Sequence, residues 1–304
     1  MDGHALTPAP DGRRQWVAGP DNPLPLLAKA WLSAPEITTL VAAAGDKESR
    51  SPPDLTELLS WSYRHLDTRG GVERREAPAT SIPPSLRGPI LNAARALGLL
   101  ATDDPSANTY DVIAILGGAT TGNALRSELA AGVARRVRVS QLVGLASERT
   151  LSDAEYLSDP DSVDDHCEWA NLLRQIRRHF GPLTPAEGDS DERCFTSSDG
   201  RQVRMLIAAP GDGGRRPNTA EEVDFFCQRI DPALRQSVLL VTNAIYAPYQ
   251  FFSAAPVLLS TGSRRVELIG TETAIADASS RTYQRLAQEI HSGIVAASRL
   301  AGEL

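Results

Sequence analysis

Lysine is almost missing from this chain. Lys29 and Lys47 are the only two among 31 basic residues, the rest being Arg. Nothing beyond residue 47 can therefore form a Schiff base or supply a phosphate-loop lysine, and no G-x-x-x-x-G-K-[ST] pattern is present. Cysteine is scarce as well. Cys167, Cys194 and Cys227 are odd in number and never spaced as C-x-x-C, which argues against a disulfide frame or a thiolate zinc site and reads as reduced core thiols. No apolar run reaches the roughly 18 residues that a membrane-spanning helix needs. Residues 1–14 carry Asp2 and prolines but no apolar stretch of signal type, so the expectation is a cytoplasmic protein without a membrane partner. A basic stripe is lacking too: 38 acidic against 31 basic residues leave a net charge of −7, which argues against a nucleic-acid partner. His4, His65, His166, His179 and His291 lie in arms or on helical patterns and none follows a strand, so no Ser-His-Asp arrangement is readable. The run Asp164 to Glu168 suggests a metal at first sight. Consecutive acids at a helix start suit the helix dipole instead, and no metal is expected.

What is present is a 304-residue chain with 41% apolar residues, enough for one large core or two ordinary ones. Residues 1–22, rich in Gly, Pro, Asp and Arg, read as a flexible arm. Residues 23–105 read as a helical subdomain, with Leu26, Leu27, Ala30 and Trp31, then Leu55, Leu58, Leu59 and Trp61, then Ile90, Ala93 and Leu97 recurring at helical spacing. Both Trp residues suit a core. Residues 106–304 read as an α/β domain. Five strand-like apolar runs lie at 110–116, 137–146, 203–209, 238–242 and 265–270, and those at 203–209 and 238–242 are apolar on consecutive residues rather than alternately, as in parallel strands covered on both faces. The fold class is thus α/β, a mostly parallel five-stranded sheet flanked by helices. A local hairpin around Asp199-Gly200 feeds the third strand, and an amphipathic helix over 280–300 closes the sheet.

Parallel strands gather their carboxyl ends on one rim, and the polar residues that follow them define the candidate site. Gly117 and Gly118 end the first strand and let a ligand approach the main chain. The dinucleotide pattern G-x-G-x-x-G is not satisfied in residues 117–122. Thr120, Thr121 and Arg126 hold a phosphate or carboxylate, or equally belong to a capped helix with an outward Arg. Glu148, after the second strand, is the acid/base candidate, with Arg149 beside it. Gly211, Gly213 and Gly214 make a pliable loop that leads to Arg215 and Arg216, fixed positive charges suited to an anion. Asn218 and Glu221 form a capping-box pattern with Thr219 between them, which is either a helix cap or an array of exposed amides at a ligand. Thr242 and Asn243 end the fourth strand. Tyr246, a second catalytic candidate, together with Tyr249 and Gln250, orients an aromatic or hydroxylated group or packs half-buried.

The order Leu116-Gly117-Gly118, Arg126, a strand followed by Glu, Asn218-Thr219-Ala220-Glu221 and Val241-Thr242-Asn243 resembles the DUF218 family, also called YdcF-like or SanA-like, over residues 108–270. The resemblance implies a Rossmann-like fold and S-adenosylmethionine binding or a cell-envelope role. The family's Tyr-His-Met-x-Arg segment is replaced by Ile245-Tyr246-Ala247-Pro248-Tyr249. With the insert at 147–202, that marks a divergent, actinobacterial-type branch with a place in specialised metabolism. The expectation is a cytoplasmic enzyme, a transferase or hydrolase, that binds a nucleotide-like or S-adenosylmethionine-like small molecule at the sheet's carboxyl edge. The alternatives are a metal-independent hydrolase or transferase acting on a small phosphorylated or carboxylated substrate, and a non-catalytic binding protein.

Overall fold

The computed structural model describes residues 13–45, 54–72, 80–210, 215–275 and 279–302. The glycine loop at Gly211, Gly213 and Gly214 and the first twelve residues of the expected arm lie outside them. In chain order the elements are β1 (Trp16–Ala18), α1 (Leu24–Leu32), α2 (Pro35–Ala43), α3 (Leu55–His65), α4 (Pro84–Ala96), β2 (Thr109–Leu116), α5 (Thr120–Ala134), β3 (Arg138–Ser147), α6 (Asp153–Ser158), α7 (Glu168–Phe180), β4 (Leu183–Pro185), β5 (Glu192–Ser197), β6 (Gln202–Ala208), α8 (Thr219–Arg229), β7 (Ser237–Asn243), α9 (Ala247–Ser260), β8 (Arg265–Thr271) and α10 (Ser280–Leu300). They fall into two compact units.

The first unit comprises Met1–Asp103, Ala244–Ser253 and Glu272–Leu304. Its helices start where the sequence supplies a start signal. α1, α2 and α4 have Pro in the first turn, where a missing N–H costs nothing. α3 opens on a capping box in which Asp54 accepts the Glu57 N–H at 2.8 Å. α10, expected to close the sheet, packs instead against α1, α3 and α4. Its buried stripe of Leu286, Ile290, Ile294 and Ala297 completes a helical core that the N-terminal helices leave open. Trp31 is fully buried there, edge-on to Phe252 at 5.7 Å, and its indole N–H donates to the Leu97 carbonyl at 3.1 Å. Gly293 makes room for it, since a Cβ at that position would sit 2.8 Å from the Trp31 ring. Within the expected arm, Trp16 of β1 is buried against Phe251, with ring centroids 5.4 Å apart.

The second unit comprises Asp104–Asn243 and Ala254–Thr271. It holds seven strands of an eight-stranded mixed, mostly parallel sheet, in the order β8-β7-β2-β3-β6-β5-β4. The five expected parallel strands form its centre: β2 pairs with β3 and β7, β3 with β6, and β7 with β8, all parallel. The expectation of a five-stranded sheet is corrected to eight strands. The anticipated hairpin pairs β5 antiparallel to β6 around Gly200, whose φ of 81° suits the turn, and β4 pairs antiparallel to β5. β4 is three residues long and ends on Pro185, and β1 is equally short, so neither carries a strand's periodic signal.

The order of the sheet reverses once. From β2 the chain steps outward through β3 to β6, then returns to the other side of β2 for β7 and β8. Ile113, Ile115, Leu142, Val203, Leu239 and Val241 form the buried centre beneath Val133 of α5 and Leu172 and Ile176 of α7. That core fixes the carboxyl ends of β2 and β7 at the point of reversal.

Candidate functional site

Gly117 and Gly118 leave β2 at this reversal, and both are buried. The Gly117 N–H continues the ladder to the Leu145 carbonyl at 2.6 Å. A Cβ on Gly117 would lie 2.7 Å from that oxygen and 2.6 Å from the Glu168 carboxylate, so no side chain fits there. Gly118 donates to Asn123 Oδ1 at 2.9 Å, and Asn123 in turn donates to Asn171 and Asn171 to Asp165. The loop is thereby tied to α7.

Three of the expected arginines meet at this loop. Arg126, 2% exposed, runs back beneath its own helix and donates to the Leu116 carbonyl, to the Gly117 carbonyl at 2.7 Å and to Asn243 Oδ1 at 2.7 Å. Arg149 donates to the Gly118 carbonyl at 3.4 Å and grips Glu155 with two bonds of 2.8 Å. Arg216 donates to the Gly117 carbonyl at 3.4 Å. Asn243, half-buried, also donates to Thr271 at 2.6 Å. Gly117, Gly118, Arg126, Arg149, Arg216 and Asn243 are thus brought together.

The centre of this cluster is a residue that the sequence reading passed over. Glu168 at the start of α7 is fully buried and accepts from Ser147 Oγ at 3.1 Å, Arg149 Nε at 3.1 Å and Arg216 Nη2 at 2.7 Å. Its place in the first turn also suits a negative charge. Beside it lies Glu222 of α8, 3% exposed and 3.9 Å from Arg216. Glu222 Oε1 is buried and has no hydrogen-bond partner among the described residues. Burial pushes this carboxyl up to about 8, with the Arg216 charge opposing and the Glu168 charge adding to the shift. Glu155 is the opposite case: burial raises it, but hydrogen bonds from Arg149 and Ser152 outweigh burial and hold it at about 2. Glu222 shares the helical face of Thr219, Val223 and Phe226, all buried.

The other expected residues take no part in these bonds. Glu148 follows β3 directly and is exposed. Thr120 is buried, with its hydroxyl on the Glu155 carbonyl at 3.3 Å, whereas Thr121 is exposed. Arg215 pairs with Glu221 on the surface at 2.8 Å. Asn218 and Glu221 serve the α8 capping box, Asn218 accepting from Ala220 and Glu221 N–H groups and Glu221 accepting from Asn218 N–H. Thr219 and Thr242 are buried. Tyr246, Tyr249 and Gln250 belong to the first unit, where Arg285 donates to the Tyr246 hydroxyl and lies 5.3 Å from the ring centroid. The first unit also has a cavity of about 240 Å³ lined by Lys29, Ile37, Thr38, Asp54 and Leu58 among others. Among the described residues no group of three or more His, Cys, Asp or Glu is arranged to hold a metal, and no helix is long and apolar enough to cross a membrane.

Residues 22–98 match the model of the Rv3785 N-terminal domain. The chain is similar to uncharacterized protein Rv3785 of Mycobacterium tuberculosis, with 26% identity over 256 residues covering 76% of this chain and 70% of that protein. Uncharacterized protein Mb3814 of Mycobacterium bovis is similar to the same extent. No solved structure matches. These findings overturn the resemblance to the DUF218, YdcF-like or SanA-like family. The matched domain model lies outside residues 108–270, which carried that resemblance, and the similarity running through most of the chain is to the Rv3785 proteins. The motifs misled for a physical reason. Asn218 to Glu221 is a helix cap and Val241-Thr242 a buried strand end, and both recur wherever those local structures are needed.

Proposed function

We propose that the second unit binds a nucleotide-like or S-adenosylmethionine-like ligand at the carboxyl edge of its sheet, where the strand order reverses between β2 and β7. The observation that carries the reading is the order β8-β7-β2-β3-β6 with Gly117-Gly118 at its reversal. It is the Rossmann-like, doubly wound order, in which ligands occupy the crevice outside the strand ends. Glu148 adds support: it is an exposed carboxylate just past the second parallel strand, and in such a sheet a carboxylate there accepts the hydroxyls of a ribose. Thr121 and the half-buried Gly122 open α5 beside the glycine pair, and Arg216, the most exposed of the three arginines in the cluster, supplies charge for a phosphate or carboxylate.

In this reading Arg126 and Asn243 hold the two sides of the crevice, and Glu168 orients Arg149 and Arg216. The activity is that of a transferase or hydrolase acting on the bound molecule. Melting temperatures with S-adenosylmethionine, S-adenosylhomocysteine, ATP, ADP, AMP and NAD test the binding. A ligand held at one hundred times its dissociation constant stabilises the folded chain by about 2.7 kcal/mol, so at least one member must raise the melting temperature. No shift across the set removes the reading. A rise with no product formed from any member favours a non-catalytic binding protein.

A further inference from the structure

Arg216 faces two buried carboxyls and satisfies one of them. Its Nη2 lies 2.7 Å from Glu168 Oε1, within hydrogen-bond reach, and 3.9 Å from Glu222 Oε1, beyond it. Glu168 has two further donors in Ser147 and Arg149. Glu222 Oε1 has no partner among the described residues. Two carboxylates buried side by side cannot both stay charged at low cost, and Glu222, whose Oε1 lacks the donors that Glu168 has, is the one that keeps its proton.

We propose that Arg216 and Glu222 form a proton-linked oxyanion subsite, which binds the phosphate or carboxylate of a ligand while Glu222 is neutral and releases it when Glu222 ionises. The proposal rests on the ligand-binding reading given above and adds its regulation. With Glu222 neutral, the outer side of the Arg216 guanidinium, about a third exposed, is available to an anion. Ionisation places a second carboxylate at 3.9 Å from Arg216, which competes for that cation and repels an incoming oxyanion. Above the Glu222 titration, each anion bound takes up one proton from solvent.

The charged groups around Glu222 set the titration. Arg216 and Arg126 favour its ionised form, and Glu168 and the neighbouring Glu221 oppose it. β3 and β6 pack against α8. From β6, Arg204 points to the far end of that helix, at the Arg229 carbonyl, and pairs with Glu192. From the end of β3, Arg149 is bound to Glu168 and Glu155.

Sulfate is the probe, because it remains a dianion over the whole range. Its dissociation constant is measured by calorimetry from pH 6 to pH 9.5, in buffers of different ionisation enthalpy, for the wild-type chain and for Glu222→Gln and Arg216→Gln. The expected result is an affinity that falls about tenfold per pH unit above the Glu222 titration in the wild type, with proton uptake, and that is flat with pH in Glu222→Gln. Arg216→Gln abolishes binding at every pH. Sulfate binding that depends on Arg216 but not on pH overturns the role of Glu222 and leaves the ligand reading standing. The absence of any Arg216-dependent binding overturns the anion subsite itself. Should Glu222→Gln fail to fold, the wild type alone decides: on raising the pH, infrared difference spectra must lose a protonated carboxyl band in the same step that weakens sulfate binding, and separation of the two steps rejects the linkage.

Discussion

Arg126 Nε donates to Asn243 Oδ1 at 2.7 Å, joining the helix that follows β2 to the end of β7 across the reversal in strand order. The two residues are 117 positions apart in sequence. Arg126 also donates to the carbonyls of Leu116, the last residue of β2, and of Gly117.

A double-mutant cycle with Arg126→Met and Asn243→Ala measures that bond. Arg126→Met removes the donor shared by the Leu116 and Gly117 carbonyls, leaving Gly117 only the 3.4 Å bond from Arg216, and should lower unfolding free energy by about 2–4 kcal/mol in urea titration. The coupling between the two substitutions should be about 1–2 kcal/mol, as for a hydrogen bond from a charged donor.

Glu155 contributes to the acid limb of stability. Its folded value of about 2 lies below the ordinary 4.5, so the stability it contributes is complete above about pH 4.5 and is lost as pH falls toward 2. Glu155→Gln should therefore be less stable than the wild type at pH 6 and flatter between pH 5 and pH 3, as read from denaturation midpoints.

Glu222 acts in the other direction. Its folded value of about 8 lies above 4.5, so the folded state holds a proton that the unfolded chain has shed. Wild-type stability should decline as pH rises from 4.5 to 8 and level off beyond. Glu222→Gln keeps the neutral shape and removes this slope, and it should exceed the wild type at pH 9 by up to a few kcal/mol.

Arg235 is a control remote from the proposed chemistry. It is 1% exposed and donates to the carbonyls of Ile230, Cys227 and Thr261, which close the ends of α8 and α9. Arg235→Met should cost about 2–4 kcal/mol of stability in urea titration, with ligand affinity of the remaining folded protein unchanged.

Much of the sheet was legible because buried parallel strands leave an unmistakable trace. The runs ending at Leu116, Ala146, Thr242 and Gly270 each became a strand of the central five, and residues 112–116 and 238–241 are apolar at every position. Strand order was not legible, since nothing in a run of Val and Leu names its neighbour. β1 and β4, three residues each, are held by their surroundings rather than by pattern. In the site, Gly117, Gly118, Arg126 and Arg216 were found from their place after strands or in a basic pair. Glu168 and Glu222 were missed because acids near a helix start are expected on dipole and capping grounds alone. Their burial depends on the long-range approach of α7 and α8 to β3 and β6. Asn218 and Glu221 illustrate the reverse case, a motif whose side chains are spent on the cap of α8.

The central claim is that the proposed crevice at the β2/β7 reversal holds a ribose-bearing ligand with a phosphate or carboxylate group. Isothermal titration of the wild type and of Glu148→Gln and Arg216→Gln with S-adenosylmethionine, S-adenosylhomocysteine, ATP, ADP, AMP and NAD tests it most directly. The account predicts that at least one of these binds the wild type and that each substitution weakens it about tenfold or more, as loss of a charged hydrogen bond requires. Absence of binding heat across the set, or equal affinity in all three proteins, would contradict it.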